Sequence, residues 1–333
     1  MRLVLLAVAL ARAQATGLAL IAVGDWGGES DAKPTNAAQE ENAAGMAAMA
    51  KKLDADSVLL LGDNFYLKGV ADVSSPRFRE TFEDVYTPAL FNNLPFHIIA
   101  GNHDHVGNVQ AQLDYHGSAR WDFPSLYYSL PWNYTSSSGA VRTVELLMID
   151  TVELAGLSDD VCQGCELPGP PSVQRAEDQW AWLEARLNAS TADFLWVAGH
   201  YPIYSAGQDG STQLLVQRLL PLLKQAGAHY MSGHDHMLEH LVDEGVQMFV
   251  NGMGRYCCYR PDHIDSVPKG LMQYMITGVN ASGTHVGPAP PADGVYGGFA
   301  SLQFDEAATV TYYRHDGLTL YAAPTIAPRA RAA

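Results

Sequence analysis

Short apolar runs recur along the chain at Leu18 to Val23, Val58 to Leu61, Phe96 to Ala100, Val144 to Ile149, Phe194 to Ala198 and Val246 to Val250. Their length and their branched or aromatic content suit buried strands. Between several of them lie helix-like stretches: the Ala/Met-rich Asn36 to Lys52, Arg77 to Tyr86, Gln174 to Leu187, and Thr212 to Gln225 with Pro221 near its middle. This alternation predicts an α/β fold in one domain, with one or two largely buried sheets flanked by helices. From Gly298 to Ile326 the pattern changes. Leu302, Phe304, Val310, Tyr312 and Leu318 to Leu320 predict antiparallel hairpin strands closing the sheet. The longest irregular pieces, Leu154 to Pro171 and Tyr256 to Gly270, hold cysteines and prolines and have the length of lids.

The polar chemistry sits where the apolar runs end. Val23 leads into Gly24-Asp25-Trp26-Gly27-Gly28, and Leu61 into Gly62-Asp63-Asn64-Phe65-Tyr66. Ala100 is followed by Gly101-Asn102-His103-Asp104-His105, Ala198 by Gly199-His200-Tyr201-Pro202, and Met231-Ser232 by Gly233-His234-Asp235-His236. Glycine after a strand permits a tight turn that presents the next side chain above the sheet edge. The crevice at the carboxyl ends of strands is the usual ligand site of α/β sheets. One such turn is ordinary, but five independent turns have no structural need for this set of side chains. Asp25, Asp63, Tyr66, Asn102, His200, His234 and His236 make seven donors, more than one ion takes. If one carboxylate bridges, they serve two metals with four protein ligands each, as in centres that clamp both oxygens in phosphoryl transfer.

Composition narrows the setting. The hydrophobic fraction of 47% is enough for a sizeable core, and the formal net charge of -16 argues against nucleic-acid or anionic-membrane partners. Arg2, the run Leu3 to Leu10 and small-x-small sites ending at Ala13 or Ala15 read as a signal peptide over residues 1–15, leaving 16–333 as the mature domain. No other stretch approaches the ~20 apolar residues of a membrane span. With N-x-S/T sequons at Asn133, Asn188 and Asn280, the expected product is a secreted or lumenal glycoprotein, including a lysosome- or vacuole-like compartment. Cysteines are confined to Cys162, Cys165, Cys257 and Cys258. Adjacent Cys257 and Cys258 make a poor tetrahedral zinc site, so two disulfides are expected, within each pair or across them.

The ordered motif set resembles the purple acid phosphatases within the calcineurin-like metallophosphoesterases, most closely the small tartrate-resistant type. The similarity runs from about Leu18 to about Ala322 and includes Arg77 to Val85 and Gly107 to Gln112. It implies a four-layer sandwich of two mixed β-sheets flanked by helices, and a monomer. It also implies that Asp25, Tyr66 and His236 bind an iron(III), that Asp63 bridges, and that Asn102, His200 and His234 complete a site for a divalent iron, zinc or manganese. Phenolate and carboxylates are hard donors suited to a trivalent ion, whereas imidazoles and an amide suit a divalent one. Many relatives in the wider superfamily carry histidine where this chain has Gly27, and Tyr66 is the replacement donor. With two carboxylates, a tyrosinate and a hydroxide as ligands, the centre keeps about one positive charge, so an acidic protein can still bind phosphate. The implied activity is acid phosphatase: attack of a metal-bound hydroxide on small phosphate monoesters, with His103 as the catalytic side chain beside the metals.

Two departures stand out. The family's histidine nine residues after the Gly-His-Tyr-Pro histidine is replaced by Asp209, which beside the metals would, as a carboxylate, repel phosphate. The disulfide of the small animal enzymes has no counterpart, its positions aligning with Ala155 and Leu214. Competing readings are a phosphodiesterase or nucleotide pyrophosphatase of the same superfamily, and a non-catalytic metal-binding protein.

Overall fold

The computed structural model describes residues 16–158, 167–276 and 297–330. The expected signal peptide, Cys162, Cys165 and Asn280 lie outside the described residues. In chain order the strands are β1 (Leu18–Val23), β2 (Ser57–Leu61), β3 (Phe96–Ile99), β4 (Trp121–Asp122), β5 (Tyr128–Thr135), β6 (Val141–Met148), β7 (Phe194–Ala198), β8 (His229–Ser232), β9 (Leu238–Asp243), β10 (Val246–Asn251), β11 (Met272–Ile276), β12 (Gly298–Phe304), β13 (Ala308–Arg314) and β14 (Thr319–Ala322). They form two seven-stranded mixed sheets, ordered β14-β13-β12-β1-β2-β3-β4 and β11-β9-β10-β8-β7-β6-β5. The parallel centres are β1 to β4 in the first sheet and β6, β7, β8 and β10 in the second. The expected C-terminal hairpins do close a sheet, pairing through β12 antiparallel to β1.

Strand periodicity explains why two sheets share one core. On β7, Phe194, Trp196 and Ala198 face the core between the sheets, while Leu195 and Val197 face a second cluster under the outer helices. Successive side chains point to opposite faces, so a strand buried on both sides reads as a continuous apolar run. Phe194 and Trp196 meet Phe304 of the other sheet edge-to-face, with ring centroids 5.5 and 6.3 Å apart. The second cluster packs against the helix Val173–Ala189 through Ala176, Trp180, Leu183 and Leu187.

The helices follow their end signals. Asn36 caps Ala37–Leu53 by accepting the Gln39 N–H at 2.8 Å, and Asp54 ends it in a left-handed conformation. Two helix-like stretches come out differently. Arg77 to Tyr86 contains only a wide turn, Phe78–Glu83. Thr212 to Gln225 divides into a wide turn, Leu215–Leu219, and an α-helix, Leu220–Ala226, with Pro221 in its first turn. Proline has no N–H to give and crowds the carbonyl four residues back, which the first turn tolerates and a continuous helix does not.

Polar side chains hide some strands from a hydrophobicity reading. β9 buries Glu239 and His240. Glu239 accepts the Ala206 N–H at 3.2 Å and the Ser205 hydroxyl at 3.3 Å, and His240 bonds Tyr321 and Gln247 at 2.9 and 2.8 Å. Burial, followed by the field of Asp235, pushes the Glu239 carboxyl up to about 8. The folded protein therefore holds a proton there that the unfolded chain releases near its ordinary value of 4.5. This group's contribution to stability is complete below that value and is lost as pH rises to about 8. Glu239→Gln should flatten the decline in thermal midpoint between pH 5 and 8, a difference of about 1–4 kcal/mol. Parallel wild-type and variant curves over that range would exclude Glu239 as its source.

Candidate metal centre

The five glycine-led turns all lie on one side of the molecule, where the parallel strands of both sheets end. Hydrogen bonds between main chains lace them together: Asp25 N to Gly62 O at 3.0 Å, Gly27 N to Asp63 O at 3.1 Å, and Tyr66 N to Gly27 O at 3.0 Å. Across the sheets, Gly24 N bonds Asn251 O at 2.9 Å, and within the second sheet Gly233 N bonds His200 O at 3.0 Å. Asp25, Asp63 and His234 adopt φ angles of 59°, 54° and 72°, a left-handed conformation uncommon outside glycine. It turns each side chain back over its strand end.

All seven expected donors meet there. Asp25, Asp63 and His200 offer ligand atoms within 4.8 Å of one another. Tyr66 Oη lies 3.1 Å from Asp25 Oδ1 and 3.2 Å from His236 Nε2. The His234 N–H donates to Asp25 Oδ2 at 2.8 Å, and its ring stands 5.1 Å from that of His200. His200 sits in the middle of the set. Its Nδ1 lies 2.8 Å from the Leu61 carbonyl oxygen, and its Nε2 lies 2.9 Å from Asn102 Oδ1 and 3.4 Å from Asp63 Oδ1. Carboxylates, imidazoles, an amide and a phenol that converge on one space make a donor set that fits metal cations.

Electrostatics point the same way. Burial, then Asp63, pushes the Asp25 carboxyl well above its ordinary range. Burial also acts on Asp63, but the neighbouring histidines, His200 first, outweigh it and hold that carboxyl well below its range. Burial pushes His234 down to about 3 and His236 well below its usual value, so both imidazoles keep their lone pairs in mild acid. Burial and the two carboxylates drive the Tyr66 phenol up, opposed by Arg255.

The surrounding residues hold this geometry. His103 gives its N–H to Asp63 Oδ1 at 3.0 Å, and its ring, anchored through Nδ1 to Leu67 O at 2.7 Å, lies 4.4 Å from the Tyr66 ring. Gly27 explains the missing histidine of the first motif: a Cβ there would fall 2.4 Å from the Asn64 main chain. Asp209 is half-buried and lines a cavity of about 980 Å³ shared with His234, Tyr201 and His263. Asn133 and Asn188 are exposed and remote, on β5 and on the helix Val173–Ala189.

Several contributors escape a sequence reading. Asp104 accepts main-chain N–H groups of Gly101, Asn64 and Phe65 at 2.8 to 3.2 Å, tying the second and third turns together. Its place inside Gly-Asn-His-Asp was the available signal. Arg255 stacks 3.9 Å over the Tyr66 ring, and Tyr256 and Tyr259 cover His236 at 4.3 and 4.4 Å. Nothing local in the sequence places that segment here. Cys257 and Cys258, within it, are bonded to each other.

Comparison with known proteins agrees with this geometry. Residues 18–238 match the model of the calcineurin-like phosphoesterases. Tartrate-resistant acid phosphatase type 5 of Sus scrofa is 40% identical over 309 residues, covering 91% of this chain and 85% of that protein. The Homo sapiens protein of that name is 38% identical over 321 residues, covering 95% and 93%. Among solved structures, GAP50, the anchor in the inner membrane complex of Plasmodium, superposes with a TM-score of 0.74 at 23% identity, covering 95% of this chain and 90% of that one. It attests the fold alone.

Gly101 tests how tightly the donors are packed. Its extended backbone (φ -110°) would accept alanine, yet a Cβ would lie 2.2 Å from Asp63 Oδ1 and 2.4 Å from Asp63 N. Gly101→Ala should therefore keep native circular dichroism while losing metal, measured as ions per chain after desalting. Full retention would mean that Asp63 can shift without consequence.

Proposed function

This chain belongs to the calcineurin-like phosphoesterase family, and from that membership we propose that it is a secreted or lumenal acid phosphatase. It is a binuclear-centre phosphoesterase acting on phosphate monoesters. The observation that carries this reading is the convergence of buried ligand atoms from Asp25, Asp63 and His200 within 4.8 Å of one another. Asp25, Tyr66 and His236 would hold iron(III), Asp63 would bridge, and Asn102, His200 and His234 would hold the divalent ion. Bound there, the two cations supply the positive charge and Lewis acidity that bind a phosphoryl group and activate water.

The chain's own residues prepare that chemistry. Burial keeps the imidazoles of His234 and His236 neutral, so acid does not strip them of the lone pairs the cations need. Leu61 O and Leu67 O fix the ring orientations of His200 and His103. His103, with Nε2 3.9 Å from Asp63 Oδ2, stands beside the donors where it can orient a phosphate. Arg255 lies against the Tyr66 ring face, where a fixed cation favours the phenolate. Residues 1–15 as a signal peptide, the domain 16–333 and glycans at Asn133, Asn188 and Asn280 belong to the same proposal. Among the described residues, no helix is long and apolar enough to cross a membrane.

Metal analysis with a visible absorption spectrum tests the reading. Wild-type protein should carry about two metal ions per chain, at least one of them iron, with a visible tyrosinate-to-iron(III) band. Tyr66→Phe should lose the band while keeping its circular dichroism; a variant that stays coloured rules Tyr66 out as the ligand. Asp63→Ala should lose both ions, and retention of two would contradict bridging.

A further inference from the structure

We propose that His263 is the proton donor to the leaving alcohol, an assignment that rests on the phosphatase reading above. The cavity of about 980 Å³ opens beside His234 and is the space available to an ester's leaving group. Among the described residues lining it, the titratable side chains are Tyr201, Asp209, His234 and His263. Tyr201 is committed elsewhere: its hydroxyl donates to Gly156 O at 3.0 Å and accepts the Ser158 N–H at 3.0 Å, and burial drives its pKa up. His234 is buried, neutral and assigned to the centre. Asp209 as a carboxylate has no proton to give. His263 alone combines a half-exposed imidazole with a place on this wall.

The wall is held at a set position relative to the donors. The His263 N–H donates to Ala206 O at 3.1 Å, and its ring packs against Gly210, where a Cβ would lie 3.0 Å from His263 Cγ. Gly210 (φ 74°) thus allows the imidazole to close onto the loop that carries Asp209. Asp209 N is bonded to Asp235 Oδ1 at 3.0 Å, and Ala206 N to Glu239 at 3.2 Å. Asp235 lies in sequence between His234 and His236, so the loop, the imidazole and the centre form one connected unit.

In the step itself, the water oxygen bonds to phosphorus as the ester P–O bond breaks. The electron pair of that bond stays on the leaving oxygen, which takes the proton of the His263 imidazolium. The proton released by the water restores the imidazolium, so the sum is ester plus water giving alcohol plus phosphate. Donation matters for alkyl leaving groups, which are poor, and little for 4-nitrophenolate, which departs unaided.

The test uses the full metal-loaded protein. His263→Gln should lower kcat for glycerol 2-phosphate by about 100-fold or more, and for 4-nitrophenyl phosphate by no more than about threefold. Metal content and visible band should be unchanged. In the wild type, which involves no folding risk, the rate should depend only weakly on leaving-group pKa across an ester series. Equal losses on both esters, no loss on either, or a steep wild-type dependence would each overturn the assignment. Wild-type protein holding both metals yet inactive on every ester would instead overturn the phosphatase reading, and this inference with it.

Discussion

Asp25 and Asp63 are buried close together, 0% and 2% exposed, at the ends of adjacent parallel strands, and two such carboxylates cannot both stay ionised without positive charge between them. The protein answers only part of this demand. Main-chain N–H groups of His234 and His103 reach one oxygen of each, and three imidazoles surround Asp63. Cations supply what remains. The left-handed turns, the side-chain-free glycines and the neutral histidines are all arranged to leave that space open. Such backbone conformations cost about 1–3 kcal/mol each and persist where the surroundings over-determine them. Here the lacing between turns does so.

The segment after β10 completes the enclosure. Arg255, Tyr256 and Tyr259 lay a cation over Tyr66 and two rings against His236, and the Tyr259 N–H bonds His236 O at 3.1 Å. A drier setting strengthens every interaction between charges inside it. Conserving space matters equally on the other side, where Gly27 admits the Asn64 main chain and with it the turn that delivers Tyr66. A larger residue at Gly27 would displace that turn, so the tyrosine and the glycine form one structural choice.

Behind the substrate side, Asp235 and Glu239 work as a pair of buried anchors. Each accepts N–H groups from the loop that bears Asp209, and each is pushed up by burial. Protonation of Glu239 in mild acid relieves the repulsion between them, so the conditions in which a phosphatase of this kind would operate are those in which this support is most stable.

Much of this was legible along the chain because its information is local. An apolar run, a glycine and a polar side chain are contiguous, so β1, β2, β3 and β7 and the donors that follow them could be read from neighbouring residues. β9 and β5 were not legible, since Glu239 and His240 are buried by virtue of partners on other elements, and Pro131 and Asn133 stand on the exposed face of an edge strand. The wide turns at Phe78–Glu83 and Leu215–Leu219 were also missed, because helical composition does not report which carbonyl an N–H selects. The sequence by itself determined the kind of donors and their order. Tertiary structure alone decided that Arg255 lies on Tyr66 and that His263 closes onto Gly210. These contacts join segments 189 and 53 residues apart, and no periodicity spans such distances; the packing of the two sheets brings the first pair together, and the strand order of the second sheet the other.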